Sequence, residues 1–544
     1  MTEQQNNRRN FAVGMQSFDW IRERKAPYID KTNYVWQMVS SNAVYYFLSR
    51  PRRFGKSLLV DTLRCYFEGR KELFEGLYIY NKETEWKKYP VIHLNLSSGK
   101  YYEKERFHGT VGGILRRLEE QWNVSCIDEY SYDDRLTAII KAAYEQTGEK
   151  VVILIDEYDA PMLDSINNLE LQDYLRERVR NLFSPLKAQE KYLRFVFLTG
   201  ISKFSQLSVF SELNNLQQLT FDPNYEAVCG ITEEELMTQM KGDIEQLTRD
   251  LNGFFNSYGI NYTFDDTLAK LKEMYDGYHF SDKFTDIYCP WSLLRAFSVG
   301  RINNFWFSTG TPTMLINVMR QHGVNMQQLE GISVGMERFD APTERITDPI
   351  PVLYQSGYLT LKSYNAIDDE FILGFPNGEV REGFAKSLYK YYMEDYVGSQ
   401  DALGNAFKRL RRKDITIEQF VEVIRQWYAG IPYSITDQNQ NELLYQSLIY
   451  AALVGFGADV QAEDQTADGR MDIALRLPDV IYIIELKYGK TADEAVNQIL
   501  NKDYAVRYAH DTRPIVAVGL NISQDRRTID DWKVVPCKTN TDKQ

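Results

Sequence analysis

Three short stretches hold residue types that do phosphate chemistry. The first is "SRPRRFGKS", residues 49–57, which ends Gly55-Lys56-Ser57. A loop ending this way turns backbone N–H groups toward phosphate oxygens, with a lysine for the β- and γ-phosphates and a Ser57 hydroxyl for Mg²⁺. The second is "VVILIDEYDAP", residues 151–161. Asp156 is placed to hold Mg²⁺ through water, and Glu157 to polarise an attacking water. The third is Asp472 followed by Glu485, 13 residues on, and Lys487. Two carboxylates bind Mg²⁺ or Mn²⁺, joined by the Leu486 carbonyl as a further oxygen ligand, and the metal lowers the pKa of a bound water. A lysine beside them positions that water or neutralises the charge that develops on a phosphodiester.

Such residues work only if strands and helices hold them. "AVYYFL", Ala43–Leu48, predicts a buried strand before the first loop. After it, Leu58, Leu59, Thr62, Leu63 and Tyr66 recur at helical spacing. The phosphate loop is therefore read as Arg50, Pro51, Arg52, Arg53, Phe54, Gly55, Lys56 and Ser57. Its start departs from the usual G-x-x-x-x-G-K-[ST], because Arg50 stands where Gly is expected. Pro51 fixes φ there, and Arg50, Arg52 or Arg53 can add charge near the phosphates; the sequence does not single one out. Val151–Ile155 predicts a fully buried parallel strand, with Asp156 and Glu157 at the end where such sheets place ligands. Tyr89–Ser98 and Leu193–Gly200 predict two more strands. Thr199 either senses the γ-phosphate or caps its own turn.

The character changes after about residue 430. "NELLYQSLIYAALVGFG", Asn441–Gly457, predicts an apolar helix carrying Glu442. Met471–Leu475, a turn at Leu477–Asp479 and Val480–Leu486 predict a hairpin. Glu485 and Lys487 lie two apart and so share a face. A solvent-facing hairpin with a Glu–Lys cross pair shows the same E-x-K. The second strand is almost wholly apolar, however, and a buried strand makes unpaired charge at its end costly.

Composition bounds the rest. The chain has 544 residues, enough for two or three domains, and a formal net charge of -13. Nucleic acid must therefore meet a local basic surface. "KRLRRKD", Lys408–Asp414, supplies one or is a solvated helix end. Five scattered cysteines without C-x-x-C, and a polar start without an apolar leader, fit reduced thiols and a cytoplasmic location. No apolar run is long enough to span a bilayer. Thr232 and Glu235 predict a capped helix start.

Residues from about 10 to 310 resemble the AAA-ATPase-like family of bacterial proteins. The likeness rests on the R-P-R-R-F-G-K-S loop, "YIDKT" (Tyr28–Thr32), "LTGISKFS" (Leu198–Ser205), "LNNL" (Leu213–Leu216), "YDGYHF" (Tyr275–Phe280) and "WFSTGTP" (Trp306–Pro312). The order helix Glu, strand Asp, Glu-x-Lys and a following helix, with "GRMDIAL" and "IIELKYGKTADEAVNQI", resembles the PD-(D/E)XK nuclease superfamily. Gln498 matches a glutamine often found there. Lys502 stands where a tyrosine usually follows it, and Tyr504 comes two further on.

The resemblance implies an α/β chain: a P-loop ATPase domain with a parallel sheet (1–225), a helical lid with a winged helix (226–430) and a restriction-endonuclease-like α/β domain (431–544). It implies ATP and Mg²⁺ as cofactors, with Mn²⁺ an alternative in the nuclease site. Asp156 and Thr199 join the loop in binding nucleotide. Glu157, Glu442, Asp472, Glu485 and Lys487 are the expected catalytic residues, and Ser57, Asp156, Asp472 and Glu485 the expected metal ligands. The partner is nucleic acid, DNA ahead of RNA, with self-association allowed and no membrane. The expected activity is a nucleotide-controlled nuclease in defence or genome maintenance. The alternatives are an ATP-driven switch whose nuclease-like domain binds without cleaving, and an interaction protein with both sites idle.

Overall fold

The computed structural model describes residues 8–125, 131–166, 168–203, 216–309, 315–316, 318–319, 324–341, 348–392, 400–431, 442–462, 465–466, 469–470, 473–502, 504–508, 510–525 and 528–537. The chain forms two compact units, Met1–Phe305 with Gly331–Gly378, and Trp306–Glu330 with Glu379–Gln544. The stretch expected as one middle region, 226–430, is thus shared between them.

The first unit is built on five strands: β1 (Tyr45–Ser49), β2 (Val91–Asn95), β3 (Val151–Asp156), β4 (Leu193–Gly200) and β5 (Gln217–Gln218). Their order is β2-β3-β4-β1-β5, and every neighbouring pair is parallel. All residues of β1 and β3 are buried, which is why both read as unbroken apolar runs. Parallel strands end on the same edge, so β1 delivers the phosphate loop and β3 delivers Asp156 side by side, one strand apart. Helix α1 (Lys56–Phe67) leaves the loop and buries Leu59, Val60 and Leu63. The sheet core joins Phe47, Ile153, Val196 and Leu198 to helical Leu115, Ile139 and Leu175.

Helices Glu233–Gln239, Lys241–Phe255, Phe264–Tyr275 and Pro290–Val299 of this unit gather Leu236, Ile244, Leu247, Leu271 and Leu293 into a second core. Thr232 caps the first of them: its hydroxyl accepts from Glu235 N–H, and the Glu235 carboxylate accepts from Thr232 N–H. Ile332–Val334, Glu370–Gly374 and Thr360–Asn365 form a small antiparallel sheet.

The second unit carries β6 (Asp459–Ala462), β7 (Ile473–Arg476), β8 (Ile481–Tyr488), β9 (Ile515–Ile522) and β10 (Ile529–Pro536), ordered as numbered. Among the described strands of this sheet only β8 and β9 pair in parallel, and α3 (Ala492–Asn501) provides the crossover that such a pair requires. Helix α2 (Glu442–Gly455) precedes the sheet. The β7–β8 hairpin turns where Leu477 N–H donates to the Val480 carbonyl at 2.9 Å.

The basic run closes helix Gln400–Arg411, and Lys408, Arg409, Arg411, Arg412 and Lys413 are all exposed. Lys413 pairs with Asp479 at 2.8 Å. Cys65, Cys229, Cys289 and Cys537 are buried, and Cys126 lies outside the described residues. Among the described residues no helix is long and apolar enough to cross a membrane.

Candidate nucleotide and phosphodiester sites

The loop after β1 is held from three sides. Gly55 starts α1 at φ +95°, a backbone that a side chain would strain. Phe54 is 1% exposed and meets Tyr278 and Phe280 edge to face, with ring centroids at 4.7 and 5.3 Å. Pro51 lies against Gly357, where an added Cβ would fall 2.6 Å from the proline. Lys56 is 4% exposed, and its Nζ donates to the carbonyls of Arg50 and Pro51 at 3.0 and 3.2 Å. The ammonium therefore sits inside the loop, beside the first amides of α1.

The three arginines separate by role. Arg50 is 1% exposed and turns inward. Its Nη1 donates to the Ser49 and Thr220 carbonyls at 2.9 and 2.8 Å, and its Nη2 to those of Tyr225 and Glu226 at 3.1 and 3.4 Å. The guanidinium also lies 4.2 Å from the Phe280 ring centre. Burial lowers its pKa to about 10, which still leaves it charged at neutral pH. Four carbonyls thus hold the two Nη atoms of Arg50, tying the start of the loop to residues 220–226. Arg53 donates to the Phe305 carbonyl at 3.0 Å and lies over the Trp291 ring. Arg52 is exposed, and both it and Arg53 line the cavity beside the loop.

Thr199 is engaged within the sheet. It is fully buried, and its hydroxyl donates to the Leu48 carbonyl of β1 at 2.7 Å. That bond ties β4 to the strand feeding the loop.

Asp156 and Glu157 stand at the end of β3. Asp156 is 1% exposed, and burial pushes its carboxyl up to about 6, opposed by the Ser57 hydroxyl that favours the charged form. Its Oδ1 is buried without a hydrogen-bond partner among the described residues. Oxygen donors from Ser57 and Asp156 suit Mg²⁺, so the residues present fit that ion. Glu157 takes φ +54°, rare for a side-chain-bearing residue, and its side chain lines the cavity. Sequence reasoning missed Asp159, the second aspartate of "IDEYD". It is fully buried, accepts from the Ile201 and Ser202 N–H groups at 2.8 and 2.6 Å, and has a carboxyl raised to about 7, chiefly by burial. It ties the turn after β3 to the end of β4. The Asp three residues after Asp156 was the available signal.

In the second unit Glu485 is fully buried in β8. Lys487, 7% exposed, lies on the same face and donates to Glu485 Oε1 at 3.0 Å. Gln498 of α3 donates to the same oxygen. Gln498 Nε2 also lies 3.4 Å from the Tyr504 hydroxyl. A tyrosine thus reaches this glutamine although Lys502 holds the expected position. Asp472 and the Glu442 side chain lie outside the described residues. Ile473, next in sequence to Asp472, pairs with Ile484, next to Glu485. The Glu485 carboxylate is a hard oxygen donor that fits Mg²⁺ or Mn²⁺.

Residues 12–210 match the family model described as a predicted AAA-ATPase, AAA-ATPase-like. Residues 440–532 match that of the PD-(D/E)XK nuclease superfamily. An uncharacterized protein in the vnfD 5' region of Azotobacter chroococcum mcd 1 is 30% identical over 540 residues, covering 96% of this chain and 98% of that protein.

Proposed function

The chain belongs to the AAA-ATPase-like family and ends in a PD-(D/E)XK nuclease superfamily domain, and on that premise we propose that it is an ATP-hydrolysing protein whose nucleotide state governs a metal-dependent nuclease. Its substrate is nucleic acid, DNA ahead of RNA, and its setting is defence or genome maintenance, by analogy with related switch-like ATPases. The observation that carries the nuclease reading is the buried Glu485–Lys487 pair, held by Gln498 on one sheet face. Charge placed at such cost within an apolar strand marks a functional site.

In the first unit Lys56 holds the β- and γ-phosphates, exchanging its two carbonyl acceptors for phosphate oxygens. Arg52 adds charge at the loop's exposed side. Ser57 and Asp156 would hold Mg²⁺, which neutralises the phosphates when bound. Glu157 orients the attacking water, and Asp159 fixes the turn that aims Glu157. In the second unit Asp472 and Glu485 would hold the metal that activates water. Lys487 steadies that water or the developing phosphate charge. Gln498 fixes the Glu485 carboxylate.

The test is cleavage of plasmid, linear single strands and RNA, with and without ATP and Mg²⁺. Lys56→Ala is expected to lose ATP binding, and Glu157→Gln to bind ATP yet hydrolyse it slowly. Asp472→Ala is expected to lose cleavage. Nuclease rates of ATP-bound and nucleotide-free protein are expected to differ at least about tenfold, a coupling of about 1.4 kcal/mol. Equal rates across these variants would mean two independent enzymes on one chain. Metal-dependent cleavage that persists in Asp472→Ala would move the chemistry elsewhere.

A further inference from the structure

Ile367 is 94% exposed and stands at the tip of the hairpin formed by Thr360–Asn365 and Glu370–Gly374. The turn itself does not need it, because Asn365, Asp368 and Asp369 supply the turn chemistry. Asn365 Oδ1 accepts from the Ile367 N–H at 3.0 Å, and Asn365 Nδ2 donates to Asp368 at 2.6 Å. Asp369, at φ +56°, accepts from the Tyr364 hydroxyl at 2.6 Å. The Tyr364 ring packs on Phe371, with centroids 4.8 Å apart. The tip is thus fixed in shape before any contact is made, so docking it costs little ordering entropy. It presents an isoleucine beside three consecutive acids, Asp368, Asp369 and Glu370. Those carboxylates repel a phosphate backbone and suit a protein surface that is cationic around an apolar centre.

The N-terminal segment of the first unit has that character. A cleft of about 530 Å³ is lined by Phe11, Trp20 and Pro27 and by Arg9, Arg24 and Lys25. Arg9 pairs with Asp243, whereas Arg24 and Lys25 are exposed and have no carboxylate partner among the described residues. The Arg24 guanidinium lies 4.6 Å from the Trp20 ring centre, so charge and apolar surface adjoin. In a chain of formal net charge -13, a cleft holding unpaired cations marks a surface for an anionic partner. The cleft shares Ala12 and Pro27 with the cavity beside the phosphate loop.

We propose that the hairpin tip of one copy of this chain docks in the N-terminal cleft of another. Ile367 enters among Phe11, Trp20 and Pro27, while Asp368 and Asp369 meet Arg24 and Lys25. Both halves of the contact lie on every copy, and at 94% exposure Ile367 does not fill the cleft of its own chain. Two different surfaces meet, so the contact is heterologous and adds copies head to tail, into a ring or a filament. One turn seated in one cleft buries less than the roughly 1,200–2,000 Å² of a tight interface, so the association is weak and concentration-dependent. A copy docked there stands beside the cavity of the phosphate loop.

Full-length protein is followed by sedimentation velocity from about 1 to about 100 μM, the range in which contacts of this size form. Wild type is expected to self-associate. Ile367→Asp alters the tip, and Arg24→Glu with Lys25→Glu alters the cleft. Each is expected to weaken association at least about tenfold, with a urea midpoint like that of wild type because these sites are exposed. Mixed in equal amounts, the two variants are expected to pair, since the cleft of the first and the tip of the second are intact, and to stop at the heterodimer. Asp368→Lys and Asp369→Lys, added to the cleft variant, reverse the charge on both sides and are expected to restore association. Wild type that stays monomeric throughout, or variants that associate like wild type, overturns the contact. So does a mixture that stays monomeric, or a charge-reversed chain that associates no better than the cleft variant.

Discussion

Arg50→Met puts the altered start of the phosphate loop to a direct test. Methionine keeps much of the length and loses the guanidinium. Three carbonyls within 3.1 Å then lose their donor, those of Ser49, Thr220 and Tyr225. Hydrogen bonds from a charged group contribute about 1.5–3 kcal/mol each, so the three together contribute roughly 5–9 kcal/mol. Burial of the charge offsets part of this: the fall of its pKa from 12.5 to about 10 corresponds to about 3 kcal/mol. The balance is a loss of about 4 kcal/mol, roughly a thousandfold in the folding equilibrium.

The damage should be local, in the segment that Arg50 clamps. Leu219 N–H donates to Phe47 and Gly230 N–H to Phe54, so hydrogen exchange at these amides reports whether the segment stays docked. Both are expected to exchange faster in Arg50→Met, with an earlier urea midpoint, while folded protein still binds tripolyphosphate. Arg52→Ala should do the reverse: stability within about 0.5 kcal/mol of wild type, as usual for an exposed side chain, and weaker nucleotide binding. Unchanged exchange in Arg50→Met together with lost tripolyphosphate binding would make Arg50 a phosphate ligand and refute the reasoning.

Glu485→Ala strands a buried lysine and is expected to cost about 3–5 kcal/mol, whereas Glu485→Gln should lose cleavage with far less loss of stability; equal urea midpoints for the two would dissolve the pair. Thr199→Val should cost about 1 kcal/mol by losing the Leu48 bond and hold ATP turnover within about twofold; a turnover loss of about a hundredfold would return Thr199 to the γ-phosphate. Burial raises the Asp276 carboxyl to about 7, so the folded protein holds a proton there that the unfolded chain gives up near 3.8. Stability from that group is therefore full below about 3.8 and lost as pH rises through about 7, and Asp276→Asn should raise the urea midpoint more at pH 8 than at pH 5; the same gain at both would count against it.

The sheet of the first unit was readable because buried parallel strands show as unbroken apolar runs. Leu193–Gly200 emerged with the expected bounds, and Val151–Ile155 gained only Asp156. β1 slid to Tyr45–Ser49 because Ser49, small and buried, continues its ladder against Gly200. β5 was unreadable: two exposed glutamines form a strand only because β1 has a free edge there. The role of Arg50 was equally hidden, since its acceptors lie about 170 residues away and are backbone carbonyls, which carry no side-chain signature. That Glu485 and Lys487 share a face was legible from the two-residue strand period, and that the pair is buried from the almost wholly apolar strand that carries it. Tyr504 reaches Gln498 across the end of α3, which spacing along a regular helix does not anticipate.

The two sites meet one electrostatic problem in different ways. Each has a carboxylate at or within a buried apolar strand, and each needs a cation nearby. In β8 the cation is built in: the strand period sets Lys487 on the face of Glu485, where the two meet at 3.0 Å. At the end of β3 it is not. Lys56 is held by two backbone carbonyls, and Asp156 keeps a carboxyl raised to about 6. A bound phosphate can replace those carbonyls one for one, and a divalent cation can offset the burial of Asp156. The first site can therefore exchange its protein partners for those of its ligand. A ligand shifts an equilibrium only where its contacts differ between two states. The proposed function thus puts control at the loop of Lys56 and chemistry at Glu485, the division that nucleotide-governed cleavage requires.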